Sequence, residues 1–438
     1  MKVAVIGTGH VGLVTAVTLA HLGHDVAGLD LDAEKIGVLA GGEAPFYEPG
    51  LLELLREGLA SRHLTFGTSP AQMLPGAEVV FICVGTPADP DGEANLAAVE
   101  NAAVDIANNA DTGAVIVEKS TVPVATAERV LRTLHRERPG GTFHVVSNPE
   151  FLREGSAIHD ALEPDRLLVG ADDDFGLQSM RRLYSPLTSS GVRLIETDTR
   201  TAELSKHASN AFLAMKISYA NAMARICELA GADVRAVTEV MGADPRIGPD
   251  FLDAGLGYGG YCFPKDVAAF ERLAARLGYR FGLLTEVARI NDEAINAALE
   301  KVQQVVWNPR GKRIAILGLA FKPGTDDVRL SPALTLAARL LALGAEVAGY
   351  DPEAGSNAKS ALPDILVTAD PYAAAEGAHA VVLATAWDEF RTLDLARLRE
   401  VVSYPVIIDG RNALDSEALL AAGFEVHPVG RPSLKAAG

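Results

Sequence analysis

Short runs of β-branched and other apolar residues alternate with Ala- and Leu-rich stretches through the first third of the chain. Val3–Ile6, Val26–Leu29, Val79–Val84, Ala114–Val117 and Val145–Val146 read as buried strands. Their near-continuous apolar character, with helical stretches between them, predicts a parallel sheet covered on both faces. From Thr201 to Leu229 there is no Gly or Pro, and Leu204, Ala208, Ala211, Met215, Ser218 and Ala222 recur at helical intervals. That spacing predicts one helix of about 40 Å at 1.5 Å per residue, able to join two domains and to offer a dimer surface. Helical segments continue to about Val306. A Pro-containing hinge, Trp307-Asn308-Pro309-Arg310-Gly311, precedes a restart of the alternation, with strands expected at Arg313–Leu317, Val347–Tyr350, Ala380–Ala384 and Val406–Asp409. The tail Arg431–Gly438 is expected to fray. The expected fold class is α/β: two Rossmann-like doubly wound domains, 1–198 and 307–438, joined by a central helical domain, 199–306, that carries the long helix.

A length of 438 residues fits more than one core. With 48% hydrophobic and 22% charged residues, the composition is that of a folded chain. A net charge of −18 argues against a nucleic-acid surface, which needs clustered Lys and Arg. It leaves room for an anionic ligand, because helix N-termini and a few placed cations decide that locally. The cysteines at 83, 227 and 262 suit a reducing compartment, with no disulfide framework and no zinc spacing, so no metal is expected. The apolar start breaks at glycines within a few residues, unlike a signal peptide. No stretch reaches the roughly 18 apolar residues of a membrane span. A soluble, cytoplasmic protein without a membrane partner is expected.

Gly7-Thr8-Gly9-His10-Val11-Gly12 fits G-x-G-x-x-G between a predicted strand and a predicted helix. Gly7 permits the tight turn, Gly9 lets backbone approach a pyrophosphate, and Gly12 lets helix and strand pack closely. The second strand leads to Asp30, near the spacing for a carboxylate that accepts from ribose hydroxyls; a 2′-phosphate would be repelled, so NAD is expected over NADP. A ligand-free glycine turn is the bland alternative. Cys83 lies in an apolar strand and reads as core. Gly85-Thr86-Pro87 and Lys119-Ser120-Thr121-Val122-Pro123 follow strands, where a doubly wound sheet holds its ligand.

The segment Gly257-Tyr258-Gly259-Gly260-Tyr261-Cys262-Phe263-Pro264-Lys265-Asp266 carries the most chemistry. Its glycines allow close backbone approach. Lys265 and a following helix N-terminus would favour a thiolate, making Cys262 a candidate nucleophile; read alone, the segment equally describes a buried structural cysteine. A dinucleotide site shifts that balance. One site with a thiol, an oxyanion stabiliser and a base for water can run a four-electron oxidation of an alcohol through a thiohemiacetal and a thioester. Asn148 to Gly155 places Glu150 and Glu154 four apart, on one face if helical, and Lys206 and Asn210 share a helix face. In isolation the first pair reads as a solvated face and the second as ordinary helix surface.

Taken in order, GTGHVG, KSTVP, NPEFLREG, ELSKHASNAF, GYGGYCFPKD, GLAFKPGTDDVRLSP and DGRN make the chain resemble the UDP-glucose 6-dehydrogenase family, within the larger UDP-glucose/GDP-mannose dehydrogenase group. The resemblance implies NAD-dependent four-electron oxidation of UDP-glucose to UDP-glucuronate, with Cys262 as nucleophile. It assigns oxyanion stabilisation to Lys206, sugar orientation to Asn210, assistance of water or thiol to Asp266, and thioester hydrolysis to Glu150. Thr121 and Glu154 fall near cofactor and water. The cofactor set so implied adds His10, Val11, Lys35, Thr86, Lys265 and Arg329 to Gly7, Gly9, Gly12 and Asp30. The substrate set takes Phe151, Leu152, Phe251, Leu252, Gly257, Phe321, Lys322 and Arg411 beside Glu150, Lys206 and Asn210. Arg246 resembles an arginine that some relatives deliver from a neighbouring subunit, and a homodimer or higher homo-oligomer is expected. The turn after Leu317 lacks G-x-G-x-x-G and is expected to hold a diphosphate, not a second NAD. One departure concerns Tyr261, where relatives usually carry Ser; it bears on the sugar more than on the chemistry. The alternatives are the same chemistry on GDP-mannose or a UDP-N-acetyl sugar, a single-step NAD-dependent alcohol dehydrogenase, and a non-catalytic nucleotide-sugar sensor.

Overall fold

Strand β1 (Lys2–Ile6) shows how the first sheet is built: Val3 and Val5 face one apolar layer, Ala4 and Ile6 the other. The computed structural model describes residues 1–87, 89 and 93–435. Among these, β1 is joined by β2 (Asp25–Leu29), β3 (Leu64–Gly67), β4 (Val79–Ile82), β5 (Val115–Glu118), β6 (His144–Ser147), β7 (Leu167–Ala171) and β8 (Leu194–Thr197). Their order is β3-β2-β1-β4-β5-β6-β7-β8. The first six are parallel, β7 runs antiparallel to β6, and β8 is parallel to β7. A second sheet contains β9 (Arg313–Leu317), β10 (Glu346–Tyr350), β11 (Leu366–Val367), β12 (Ala380–Leu383), β13 (Val406–Asp409) and β14 (Glu425–Pro428), all parallel in the order β11-β10-β9-β12-β13-β14. Ile314 and Ile316 face one of its apolar layers, Ala315 and Leu317 the other. Each fully buried Val, Ile or Leu of these layers contributes about 1.5–3 kcal/mol relative to exposure.

The chain divides into two units, residues 1–209 with 268–279 and residues 210–267 with 280–438. The first contains the eight-stranded sheet, the second the six-stranded one. The long helix spans Thr199–Ala230, slightly beyond its expected ends. In the second unit its Ala220, Ala224 and Cys227 pack with Val234, Ala254 and Val429. Ile295, Ala298 and Val302 of the helix Gly282–Val305 pack into one layer of the second sheet. No helix among the described residues is long and apolar enough to cross a membrane.

Several expectations need correction. The strands expected in the first sheet pair in parallel, but β3, β7, β8, β11 and β14 are additional, and β7 enters antiparallel to β6. The stretch 148–155 is not helical, so Glu150 and Glu154 share no helix face. Pro149 supplies no N–H, and the Glu150 carboxylate accepts from the Leu152 N–H at 2.5 Å, a local bond that competes with a helix. The expected fraying from Arg431 does not occur over the described part: Arg431 Nε donates to Asp233 at 3.1 Å, and Leu434 bridges Val426. Residues 436–438 of that tail lie outside the described residues.

Two outcomes follow from this packing. A Cβ on Gly12 would sit 1.8 Å from the Gly7 carbonyl oxygen, so Gly12→Ala should lower stability by about 1–3 kcal/mol, measured by denaturant unfolding. Glu118, at the end of β5, is fully buried; its Oε1 accepts from the Ser120 N–H at 2.9 Å and its Oε2 has no partner among the described residues. Burial pushes its carboxyl up to about 8, with Ser120 acting against the shift and the nearby Glu203 charge adding to it. A raised carboxyl contributes stability that is fully present below its unfolded value, near 4.5, and is lost as pH rises through about 8. Glu118→Gln should therefore flatten the fall of melting temperature between those limits, by on the order of 5 °C.

Candidate active site

In the first unit the glycine turn has the shape that its sequence demands. Gly7 takes φ +92°, a Cβ there would lie 2.6 Å from the Cys83 carbonyl oxygen, and a Cβ on Gly9 would meet nothing within 4 Å. The helix His10–His21 starts at once after it. Open space at Gly9 and a helix N-terminus beside it fit a dinucleotide pyrophosphate. Asp30, one residue beyond β2, accepts from the Thr8 N–H at 2.9 Å, the Thr8 hydroxyl at 2.8 Å and the Lys35 ammonium at 2.9 Å. Burial works against its charge, but these bonds outweigh it and hold the carboxyl below its ordinary range. The His10 ring stacks on Phe46 with centroids 4.8 Å apart and approaches Glu48 at 3.2 Å. Val11 is half-buried. Thr86, buried after β4, donates to the Thr121 carbonyl at 2.9 Å and so ties together the loops that follow two neighbouring strands.

Deeper in the same unit lies a chain of buried polar groups. Lys206 of the long helix pairs with Glu150 at 2.8 Å, both side chains almost wholly buried. The Phe151 ring lies 5.3 Å from that ammonium and carries the Arg166 guanidinium at 3.8 Å. Leu152 donates its N–H to Glu150. Lys119 donates to the Asn148 side chain at 3.0 Å, which also accepts from the Tyr184 hydroxyl at 2.6 Å. Burial pushes the Lys119 ammonium down to about 8 and the Cys83 thiol up to about 12, so Cys83 is the core residue expected. Glu203 accepts from the Ala125 and Ala127 N–H groups at 2.6 and 2.8 Å, and the His207 ring meets the Val122 carbonyl at 2.8 Å. Both residues flank Lys206 and fix the loop that carries Thr121. Glu154 is half-buried in a turn whose N–H groups at Gly155 and Ala157 are taken by Glu48.

In the second unit the irregular stretch 243–261 leads into the helix Cys262–Arg276, and Cys262 is its first residue. Gly257, Gly259 and Gly260 leave no room for a side chain: a Cβ would meet Asn291 at 2.6 Å, the Leu330 carbonyl oxygen at 2.3 Å and the Phe321 ring at 2.8 Å. Asn291 grips the Tyr258 N–H and carbonyl at 2.7 and 3.0 Å, and Asn221 accepts from Gly255 at 2.8 Å. Asp266 is fully buried between Asn210, which donates at 2.6 Å, and Lys265, which donates at 2.7 Å. Asn210, like Lys206, is thus buried and not the helix surface that its sequence context alone suggests.

Arg411 is held by the Ala384 and Gly257 carbonyls at 2.7 and 3.4 Å, and burial lowers its guanidinium only to about 10, so it stays a cation. Phe251 takes φ +63°, and its ring lies 6.2 Å from that of Phe263; Leu252 is buried. After β9, Asp351 accepts from the Leu319 and Ala320 N–H groups at 2.7 and 2.9 Å. Those two donors are thus taken within the chain, and the Lys322 ammonium lies 5.8 Å from the Phe321 ring. Arg246 is exposed and forked onto Asp244. The roles of Glu48, Asn148, Glu203, Asn221 and Asn291 escaped sequence reading because single acids and amides that bind loop backbone have no periodic signature.

Comparison with known proteins accords with this geometry. Residues 1–188 match the NAD binding domain of the UDP-glucose/GDP-mannose dehydrogenase family, 200–293 its central domain and 315–416 its UDP binding domain. The chain is 43% identical to the UDP-glucose 6-dehydrogenase YwqF of Bacillus subtilis, over 100% of this chain and 99% of that protein. It is 43% identical to a UDP-glucose 6-dehydrogenase of Rhizobium meliloti, over 99% and 100%. Among solved structures, a UDP-glucose dehydrogenase from the archaeon Pyrobaculum islandicum superposes with a TM-score of 0.88 at 39% identity, covering 94% of each chain. A UDP-D-ManNAc dehydrogenase from Pyrococcus horikoshii does so at 0.86 and 30%, covering 98% and 99%. The chain therefore belongs to the UDP-glucose/GDP-mannose dehydrogenase family and is an NAD-dependent oxidoreductase of UDP-sugars.

Proposed function

We propose that the chain oxidises C6 of UDP-glucose to the carboxylate of UDP-glucuronate, with Cys262 as covalent nucleophile. The observation that carries this reading is Cys262 at the first residue of a helix, behind a glycine loop and beside the buried Asn210–Asp266–Lys265 cluster. Gly7, Gly9, Gly12, Asp30, Lys265 and Arg329 would hold NAD, which would supply the acceptor for each of two hydrides. Lys206 holds a positive charge where the C6 oxygen gains negative charge, and Asn210 orients the sugar. The Cys262 sulfur bonds to the aldehyde carbon, giving a thiohemiacetal; loss of the second hydride leaves a thioester. Glu150, aided by Thr121 and Asp266, takes a proton from the attacking water, and the carbon–sulfur bond breaks to return the thiol. The balance is one alcohol, one water and two NAD giving one carboxylate, two NADH and three protons.

FLDAGLGYGG supports UDP-glucose over GDP-mannose and N-acetyl sugars. Phe251, Leu252, Gly257, Phe321, Lys322 and Arg411, with Phe151 and Leu152, form the substrate set of this reading. We also propose domains at 1–198, 199–306 and 307–438. A second copy of the chain would lie along the long helix, where Phe212, Tyr219 and Ile226 recur exposed every seven residues, with Arg246 reaching toward the partner.

Spectrophotometry of a limiting UDP-glucose sample should give two NADH per sugar; one NADH with free aldehyde would overturn the covalent route, and turnover only with another nucleotide sugar would move the substrate. Cys262→Ser should abolish acid formation while NAD still binds. Lys206→Ala should lower kcat by about 10²-fold or more, the scale of one lost oxyanion donor, with little change in NAD affinity; near-normal kcat would remove Lys206 from that role.

A further inference from the structure

Tyr261, where the family resemblance leads one to expect Ser, directly precedes Cys262. The loop that carries it packs backbone to backbone against 327–331. Gly260 donates its N–H to the Arg329 carbonyl at 3.0 Å, and Gly259 leaves only 2.3 Å between a Cβ and the Leu330 carbonyl oxygen. Leu330 itself holds φ +50°, unusual for a branched side chain and kept by this close fit. Side chains repeat the contact. The Arg329 guanidinium lies 4.6 Å from the centre of the Tyr261 ring, and the Lys265 ammonium lies 5.6 Å from it. Two cations gathered at one ring repel each other, and three features offset that repulsion. The ring presents a negative face. Asp327 forks onto Arg329 at 2.6–2.9 Å, and Asp266 pairs with Lys265 at 2.7 Å. Burial raises the Tyr261 phenol, with Lys265 and Arg329 acting against that shift.

Both cations belong to the cofactor set of the proposed function, on which this inference rests. A serine at 261 would leave them without the ring that gathers them. We infer that Tyr261 is a positioning residue: its π face fixes Arg329 and Lys265 relative to each other and to Cys262, so that NAD binding depends on an aromatic ring particular to this position.

The test compares Tyr261→Phe, which keeps the π face, with Tyr261→Leu, which keeps bulk alone, and Tyr261→Ser, which keeps neither. NAD binding by calorimetry without sugar is the main readout, since it requires neither the right sugar nor Cys262 chemistry and stays informative if the proposed reaction is wrong. The Phe variant should bind NAD within about twofold of the parent; the Leu and Ser variants should bind about five- to tenfold more weakly, the scale of a lost cation–π contact. In turnover the loss should fall on KM for NAD, with kcat changed by less than about threefold. In an Arg329→Gln background, Tyr261→Leu should add little. Equal binding by Leu and parent, equal loss in Phe and Ser, or full additivity with Arg329→Gln would each overturn the inference.

Discussion

Backbone N–H groups in the loops beyond the carboxyl ends of the strands must be satisfied, and in this chain carboxylates do much of that work. Asp30 takes the Thr8 N–H, and Asp351 takes those of Leu319 and Ala320 at the matching turn of the second sheet. Asp409 takes those of Arg411, Ala413 and Leu414, Glu48 those of Gly155 and Ala157, and Glu203 those of Ala125 and Ala127. An unsatisfied buried donor costs about 1–3 kcal/mol. Charge-assisted bonds are stronger than neutral ones, so one carboxylate spanning two donors fixes a loop's path with little chain. Gly7, Glu154 and Arg411 sit on turns so held, whereas Lys206 and Asn210 are carried by the long helix.

The same arrangement bears on how a chain of net charge −18 suits an anionic substrate. Part of its negative charge faces backbone dipoles and is balanced there. The cations of the candidate site are partnered as well: Lys206 with Glu150, Lys265 with Asp266, Arg329 with Asp327. The first two pairs are buried and Arg329 is exposed, but each pair leaves little net field at a distance, and what a ligand meets is the local arrangement of donors. Arg411 is half-buried against carbonyl oxygens, with the Asp253 and Asp409 charges supporting its guanidinium, and it keeps its charge. Net charge therefore describes the outer surface and says little about the loops.

Much of the fold was legible because it follows from periodicity. β9 and β13 fall on their expected residues, and the long helix is announced by its lack of Gly and Pro. Glycine turns were legible for a steric reason: at Gly7, Gly12, Gly257, Gly259 and Gly260 a side chain would collide with named atoms. What failed was long-range or local competition. Nothing in Leu167–Ala171 tells that it runs against β6, since an apolar strand buried on both faces reads the same in either direction. Glu150 and Glu154 have helical spacing, yet Pro149 and the bond from Leu152 to the Glu150 side chain turn the backbone aside. Lys206 and Asn210 look like solvated helix surface until their partners Glu150 and Asp266, 56 residues from each, are packed against them.

The three cysteines show how environment, not residue type, separates a candidate nucleophile from core thiols. Cys83 is enclosed after β4, and burial lifts its thiol to about 12, far from any useful thiolate population at neutral pH. Cys227 is buried among Ala220, Ala224 and Val234, where a thiol behaves as a small apolar side chain. Cys262 is only half-buried and opens a helix whose terminal N–H groups and dipole favour an anion. The glycines of its loop lie close against Asn291, Leu330 and Phe321. In the role proposed for it, a thiol placed that way would attack with little rearrangement, and positioning of that kind lowers a barrier substantially.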